Sequence, residues 1–199
     1  MDQNKLKEAE DFYRDRISGW MLNDLRKSID VNTNFLTALA CLIYTEIIGI
    51  FLPVIEGEKG STEEKRFYRC LFRLNSNEYL RKLDISLRKI SGNKGLYALR
   101  HSMAHKYYPT VSKRENKNYL CIASIIARDG VARNLSTNIK TDSPPIFLNG
   151  EKIVIATRNY VNELELSVKG LINQTFVEKD KEYQKAVIKG IDIIIRGGF

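Results

Sequence analysis

The two histidines of this chain, His101 and His105, lie in a single heptapeptide, LRHSMAH at positions 99–105. Histidine is the side chain whose protonation changes most readily near neutral pH, so acid–base chemistry is expected here. Arg100 precedes His105 by five positions and carries a planar cation that can hold a phosphate through two hydrogen bonds. An arginine on the phosphate and a histidine that moves a proton suffice for metal-free cleavage of a phosphodiester.

Five positions on an α-helix correspond to a rotation of about 140°, so Arg100 and His105 do not share a helical face. The two side chains can still meet if the helix ends at His105. Gly95 before the pair and the tripeptide Tyr107-Tyr108-Pro109 after it predict a short helix that ends there.

Two other interpretations of the histidines stay open. Each can be a hydrogen-bonded residue of a helical bundle. His101 and His105 are also four positions apart, the spacing with which two imidazoles share a zinc ion. No pattern supplies a third ligand nearby, and Glu46 is the one interesting buried candidate, so we expect neither metal nor cofactor.

The hexapeptide from Arg100 to His105 resembles the R-x4-6-H motif of the HEPN superfamily, in which a polar residue such as His101 follows the arginine. The apolar second helix and the sequence GLYAL before the arginine are also similar, and the resemblance covers residues 31–110. It implies an α-helical domain that forms a homodimer, with two motifs facing each other across the two-fold axis in one ribonuclease cleft.

The resemblance also implies a role for each residue. Arg100 holds the scissile phosphate and stabilises its developing charge, His105 is the general acid or base, and His101 orients its neighbours. The products are a 2′,3′-cyclic phosphate and a 5′-hydroxyl, and the protein is a toxin or a defence effector. A non-catalytic HEPN-like module that binds RNA, nucleotide or a protein partner is the alternative.

Glu46 is an isolated carboxylate on an apolar helix, and if buried it needs a cationic partner, for which Arg100 is the best candidate. A position at the solvated edge of the bundle is the other interpretation.

Tyr107 extends the motif to R-x4-H-x-Y, which resembles HEPN toxins paired with nucleotidyltransferase antitoxins. That resemblance implies that Tyr107 is a nucleotidylation site and that an antitoxin or nucleotidyltransferase is a partner. Packing at the bundle end, or stacking on a base, is the other interpretation.

Basic residues around the motif are candidates for RNA phosphate contacts: Lys94, Lys106, Lys113 and Arg114. The series Arg66, Arg69 and Arg73 predicts an exposed helical face.

The elements that must position these residues are mostly helical. Apolar residues from Leu6 to Ile29, with Trp20 among them, predict an amphipathic first helix. The run at 35–55 predicts a buried second helix, because its central Glu46 is costly in lipid. Ser61 with Glu64 predicts a capping box, and further helices are expected to about Leu74, from Asn77 and from about Leu96.

After residue 110 the pattern changes. A buried strand is predicted at 119–126, and a β-hairpin turning at Asn149-Gly150 joins strands at 146–148 and 153–155. Two helices follow, at 160–176 and 180–195. We therefore predict one mostly α domain in three parts: a HEPN-like bundle at 1–110, a loop and small β-hairpin insertion at 111–156, and C-terminal helices at 157–199 that pack back on the bundle.

Composition narrows the class of protein. The chain has 199 residues, 43% of them hydrophobic, and a formal net charge of +8, which is compatible with a polyanionic partner such as RNA. Three cysteines without a C-x-x-C spacing argue against a disulfide framework and a zinc ribbon. The N-terminus lacks an apolar signal segment, so a cytoplasmic protein without a membrane span is expected.

Overall fold

The computed structural model describes residues 2–30, 34–58, 61–91, 95–106, 110–112, 118–124, 143–149 and 152–195. The described chain is mostly helical with one small sheet, as predicted. Its helices are α1 (Gln3–Phe12, continued by Tyr13–Leu22 and Asn23–Asp30), α2 (Asn34–Gly49), α3 (Thr62–Leu71), α4 (Asn77–Ser91), α5 (Tyr97–Lys106), α6 (Thr157–Ile172, continued by Asn173–Val177) and α7 (Lys181–Ile195). Its strands are β1 (Thr110–Ser112), β2 (Asn118–Ser124), β3 (Ile146–Asn149) and β4 (Lys152–Ala156).

The first helix contains a π-helical stretch, Tyr13–Leu22, which the apolar spacing did not predict. A π-helix has a longer repeat than an α-helix, so the inward-facing positions move to a five-residue step between Ile17 and Leu22. The prediction that Trp20 lies on the apolar face is therefore wrong, because its side chain is 62% exposed. The residues that α1 buries are Leu6, Ala9, Tyr13, Ile17, Leu22, Leu25 and Ile29.

The second helix crosses the interior of the bundle, where Cys41, Leu42 and Ile48 are fully buried. This confirms the buried helix, although the helix ends at Gly49, before the end of the apolar run at 35–55. None of the helices in the described ranges combines the length and the apolar character that crossing a membrane requires.

The sheet is larger than the predicted hairpin, with strand order β1-β2-β4-β3. The hairpin itself is confirmed, because β3 and β4 pair antiparallel. Its register joins Asn149 to Lys152, so the pairing ends one residue later than a turn at Asn149-Gly150 requires. β2 occupies most of the predicted strand and pairs parallel with β4, from Leu120–Lys152 to Ser124–Ala156.

The C-terminal helices pack on the N-terminal bundle. In the interior, the hydroxyl oxygens of Tyr160 on α6 and Thr45 on α2 are 2.9 Å apart. Glu163 on α6 accepts hydrogen bonds from the backbone and side chain of Ser76, just before α4 begins. At the surface, Lys5 on α1 donates to Asp192 on α7 at 3.0 Å. The last two helices therefore belong to the same core as the first five.

Half of the predicted capping box is present. The Ser61 side chain accepts a hydrogen bond from the Glu64 amide at 3.2 Å, which starts α3 as predicted. The Glu64 carboxylate does not reach back to Ser61. It binds Arg88 on α4 instead, at 2.9 Å.

The predicted exposed face of arginines on α3 is wrong. Arg69 forms two hydrogen bonds with Glu58, at 2.6 and 2.7 Å, and its side chain is 18% exposed. Arg73 donates to the carbonyl of Pro53 at 3.0 Å. These arginines hold the segment after α2 against α3, because that segment offers a carboxylate and a carbonyl that need donors.

Candidate functional site

Arg100 on α5 and Glu46 on α2 form the ion pair that the sequence suggested. Arg100 Nε lies 2.8 Å from Glu46 Oε2, and the two side chains are 21% and 12% exposed. Glu46 is therefore the partner of Arg100, and its carboxylate does not lie at a solvated edge of the bundle. A buried carboxylate without this cation would cost several kcal/mol, so the pair ties α5 to α2.

The contact is an ion pair without an aligned hydrogen bond. Both Glu46 Oε2 and Arg100 Nε are buried, and neither has a hydrogen-bond partner of good geometry among the described residues. A guanidinium carries five N–H donors, so this contact leaves most of the donor capacity of Arg100 for other acceptors.

Other charges and one aromatic ring surround the pair. Burial raises the pKa of the Glu46 carboxyl above its ordinary value, although Arg100 and Arg66 lower it and Glu63 raises it further. The guanidinium carbon of Arg100 lies 5.9 Å from the centre of the Tyr97 ring, close enough for a cation–π interaction. The sequence did not point to Glu63, Arg66 or Tyr97, which come from α3 and from the first turn of α5.

A close helix contact brings α3 to this site. At Gly49 the two helices approach so closely that a Cβ atom would lie 1.7 Å from the Arg66 carbonyl oxygen. Glu46 stands three residues before Gly49, on the same side of α2. Only glycine permits this approach, and it sets Glu46 beside the N-terminal half of α3.

The first turn of α5 is held by a buried hydrogen-bond network around Asp84 on α4. Asp84 Oδ1 accepts from the Leu96 amide and from the Tyr68 hydroxyl, both at 2.7 Å. Tyr68 in turn accepts from the Tyr97 amide at 3.1 Å. Arg88 Nε donates to Asp84 Oδ2 at 2.7 Å.

Gly95 allows the backbone before α5 to pass close to the Asp84 carboxylate. It has a φ of +46°, and a Cβ atom there would lie 2.1 Å from Asp84 Oδ1. Asp84 and Tyr68 thus satisfy two of the amides that a helix N-terminus leaves unpaired, and they fix where α5 begins. Arg100 follows one turn later.

The histidines lie on the same helix as Arg100. The side chain of His101 is exposed. His105 belongs to α5, which spans Tyr97–Lys106. Residues 107–109 lie outside the described ranges, so the end of the helix at His105 stays a prediction. The described part of the chain includes the backbone of His105 and Lys106 but not their side chains. Lys94, Tyr107, Lys113 and Arg114 lie outside the described residues, so their assigned roles stay predictions.

No group of three or more histidine, cysteine or acidic side chains lies close enough to hold a metal ion within the described ranges. Comparison with known proteins adds no assignment, since no protein-family model, curated protein or solved structure matches the chain. The HEPN resemblance stays a prediction that depends on the residues alone.

Proposed function

We propose that this protein is a metal-independent endoribonuclease of HEPN type. The observation that carries the proposal is the ion pair of Glu46 and Arg100, on the same helix as His105. A permanently charged guanidinium held in place by a buried carboxylate is preorganised to bind a phosphate.

The chemistry follows from the two side-chain types. His105 removes the proton from a ribose 2′-hydroxyl, and the resulting oxygen attacks the adjacent phosphorus. The bond from phosphorus to the 5′-oxygen breaks, and that oxygen takes up a proton, which gives a 2′,3′-cyclic phosphate and a 5′-hydroxyl. Arg100 stabilises the negative charge that grows on the phosphoryl oxygens, and no metal takes part.

Glu46 acts in this proposal as a positioning residue. Its carboxylate lies against Nε of Arg100, which leaves the two terminal nitrogens of the guanidinium for the phosphate. Through the resemblance, the proposal also includes a homodimer with a composite cleft and a cytoplasmic toxin or defence role. It further includes an antitoxin or nucleotidyltransferase partner that acts at Tyr107.

The test is incubation of purified protein with total RNA and with tRNA in the presence of EDTA. We expect wild type to cleave and to leave cyclic-phosphate ends. Arg100→Ala and His105→Ala should each lower the cleavage rate by about 10²–10⁴-fold. Arg14→Ala is the matched control, because Arg14 is exposed on α1 and pairs with Glu10, one turn earlier, at the surface.

The alternative, a non-catalytic module, gives a different result. Wild type would then bind RNA without cleaving it, and His105→Ala would leave the affinity unchanged. Cleavage that survives in both variants would contradict the proposed site itself.

A further inference from the structure

A cavity of about 320 Å³ opens between α3, α4 and the segment that follows α2. The proposed ribonuclease residues Glu46 and Arg100 do not line it. The side chains that matter for the argument are Glu56, Glu58, Lys65, Tyr68, Phe72 and Arg81.

One wall of the cavity is flat and aromatic. The rings of Tyr68 and Phe72 stack with centres 5.0 Å apart and planes inclined by 26°. The guanidinium of Arg81 lies over Phe72, with its central carbon 4.2 Å from the ring centre. Aromatic rings and guanidinium planes both stack on flat π systems, so this wall favours a planar ligand.

The charges at the cavity favour an anion. Among the described residues the side chains of Lys65 and Arg81 form no ion pair or hydrogen bond, although Lys65 is near enough to Glu58 to lower the pKa of that carboxyl. Two of the three carboxylates at the cavity are already bound, because Glu58 pairs with Arg69 and Asp84 with Arg88. Only Glu56 remains without such a partner in the described part of the chain, so two uncommitted cations face one uncommitted carboxylate.

We propose that this cavity binds a small aromatic anion. The ring of the ligand packs against Phe72 beside Arg81, its anionic group accepts hydrogen bonds from Arg81 and Lys65, and Glu56 accepts a hydrogen bond from an amino or hydroxyl group. A volume of about 320 Å³ is near the lower end of the range for ligand pockets, which suits one small molecule. An aromatic carboxylate and a mononucleotide share this chemistry. The proposal does not depend on the ribonuclease function.

The experiment is calorimetric titration of the full chain with indole-3-carboxylate and with AMP, alongside indole and inorganic phosphate. We expect at least one of the two aromatic anions to bind, and to bind more tightly than indole or phosphate. Arg81→Ala should weaken that binding about ten-fold, the loss expected for one charge-assisted hydrogen bond. Phe72→Leu should also weaken it, because the leucine keeps apolar volume without a ring.

Lys82→Ala is the matched control, since Lys82 is the next residue on α4, is exposed, and pairs with the exposed Glu78. It should leave the affinity within about two-fold of wild type. Thermal unfolding of every variant shows whether the fold is intact.

Three outcomes would overturn the proposal: no binding of either aromatic anion, phosphate binding as tightly as AMP, or affinity unchanged in Arg81→Ala. Repeating the titration in Arg100→Ala separates the two sites. Binding lost there but kept in Arg81→Ala would place the ligand in the ribonuclease cleft instead, whereas binding kept in Arg100→Ala supports the cavity even if no RNA is cleaved.

Discussion

Asp84 and Glu46 are carboxylates of low exposure that face arginines, and their surroundings differ. Asp84 receives aligned hydrogen bonds from an amide, a hydroxyl and a guanidinium, each at 2.7 Å. Glu46 touches one guanidinium at 2.8 Å without an aligned hydrogen bond, and burial raises the pKa of its carboxyl. The saturated carboxylate fixes the position of α5, whereas the Glu46–Arg100 pair leaves hydrogen-bonding capacity that the proposed function assigns to a phosphate.

The substitution with the largest expected effect on this comparison is Asp84→Ala. Removing the carboxylate leaves the Leu96 amide and the Tyr68 hydroxyl without their acceptor in the interior, together with one donor of Arg88. We expect a loss of about 3–5 kcal/mol in the free energy of unfolding, measured by urea denaturation. Asp192→Ala is the control, because its pair with Lys5 is at the surface and should cost at most about 1 kcal/mol. Equal losses in the two variants would mean that Asp84 is not the anchor of α5.

Gly95→Ala perturbs the same anchor from the backbone side. Its positive φ and the 2.1 Å approach to Asp84 Oδ1 both disfavour a side chain. We expect a loss of about 2–3 kcal/mol in the free energy of unfolding. Gly170→Ala is the matched control, since it is exposed in α6 with no heavy atom within 4 Å of its added Cβ, and it should gain up to about 1 kcal/mol. A neutral Gly95→Ala would show that α5 can start without this turn.

Much of the fold could be predicted from local pattern. Apolar spacing located the helices, Ser61 marked the start of α3, and Asn149-Gly150 between two apolar runs marked the hairpin. The pairing of Glu46 with Arg100 was predictable for a physical reason, because a lone carboxylate on an apolar helix requires a cation. These are features in which neighbouring residues, or one unusual residue, carry the information.

The remaining features depend on contacts between distant positions. The parallel pairing of β2 with β4 joins residues such as Leu120 and Lys152, and no local pattern encodes it. The Asp84 network joins α3, α4 and α5, partly through backbone amides that any residue type supplies. The type of Gly95 predicts a break before the helix, but not that the backbone there turns against the carboxylate of Asp84. The π-helical step that exposes Trp20 likewise follows from packing, since α1 otherwise has ordinary helical spacing.

The smallest predicted effect is on the pH dependence of stability, to which Glu46 and Glu58 should contribute with opposite signs. Burial raises the pKa of Glu46 above 4.5. For Glu58, burial also opposes ionisation, but the hydrogen bonds from Arg69 and the Ile55 amide outweigh it and hold the pKa below 4.5. The native state therefore binds a proton more readily at Glu46 than the unfolded state does, and less readily at Glu58.

By linkage, the contribution of Glu46 to stability is fully present below its ordinary pKa and is lost as the pH rises through the raised value. The contribution of Glu58 is present above its ordinary pKa and is lost as the pH falls through the lowered value. Urea denaturation of wild type, Glu46→Gln and Glu58→Gln between pH 3 and pH 7 measures both, in steps of about one pH unit. Relative to wild type, Glu46→Gln should gain stability as the pH rises above 4.5, and Glu58→Gln should gain as it falls below. If the two stability differences had the same sign, Glu46 would behave as an ordinary ion-paired carboxylate. The contrast between Glu46 and the fully hydrogen-bonded Asp84 would then be wrong.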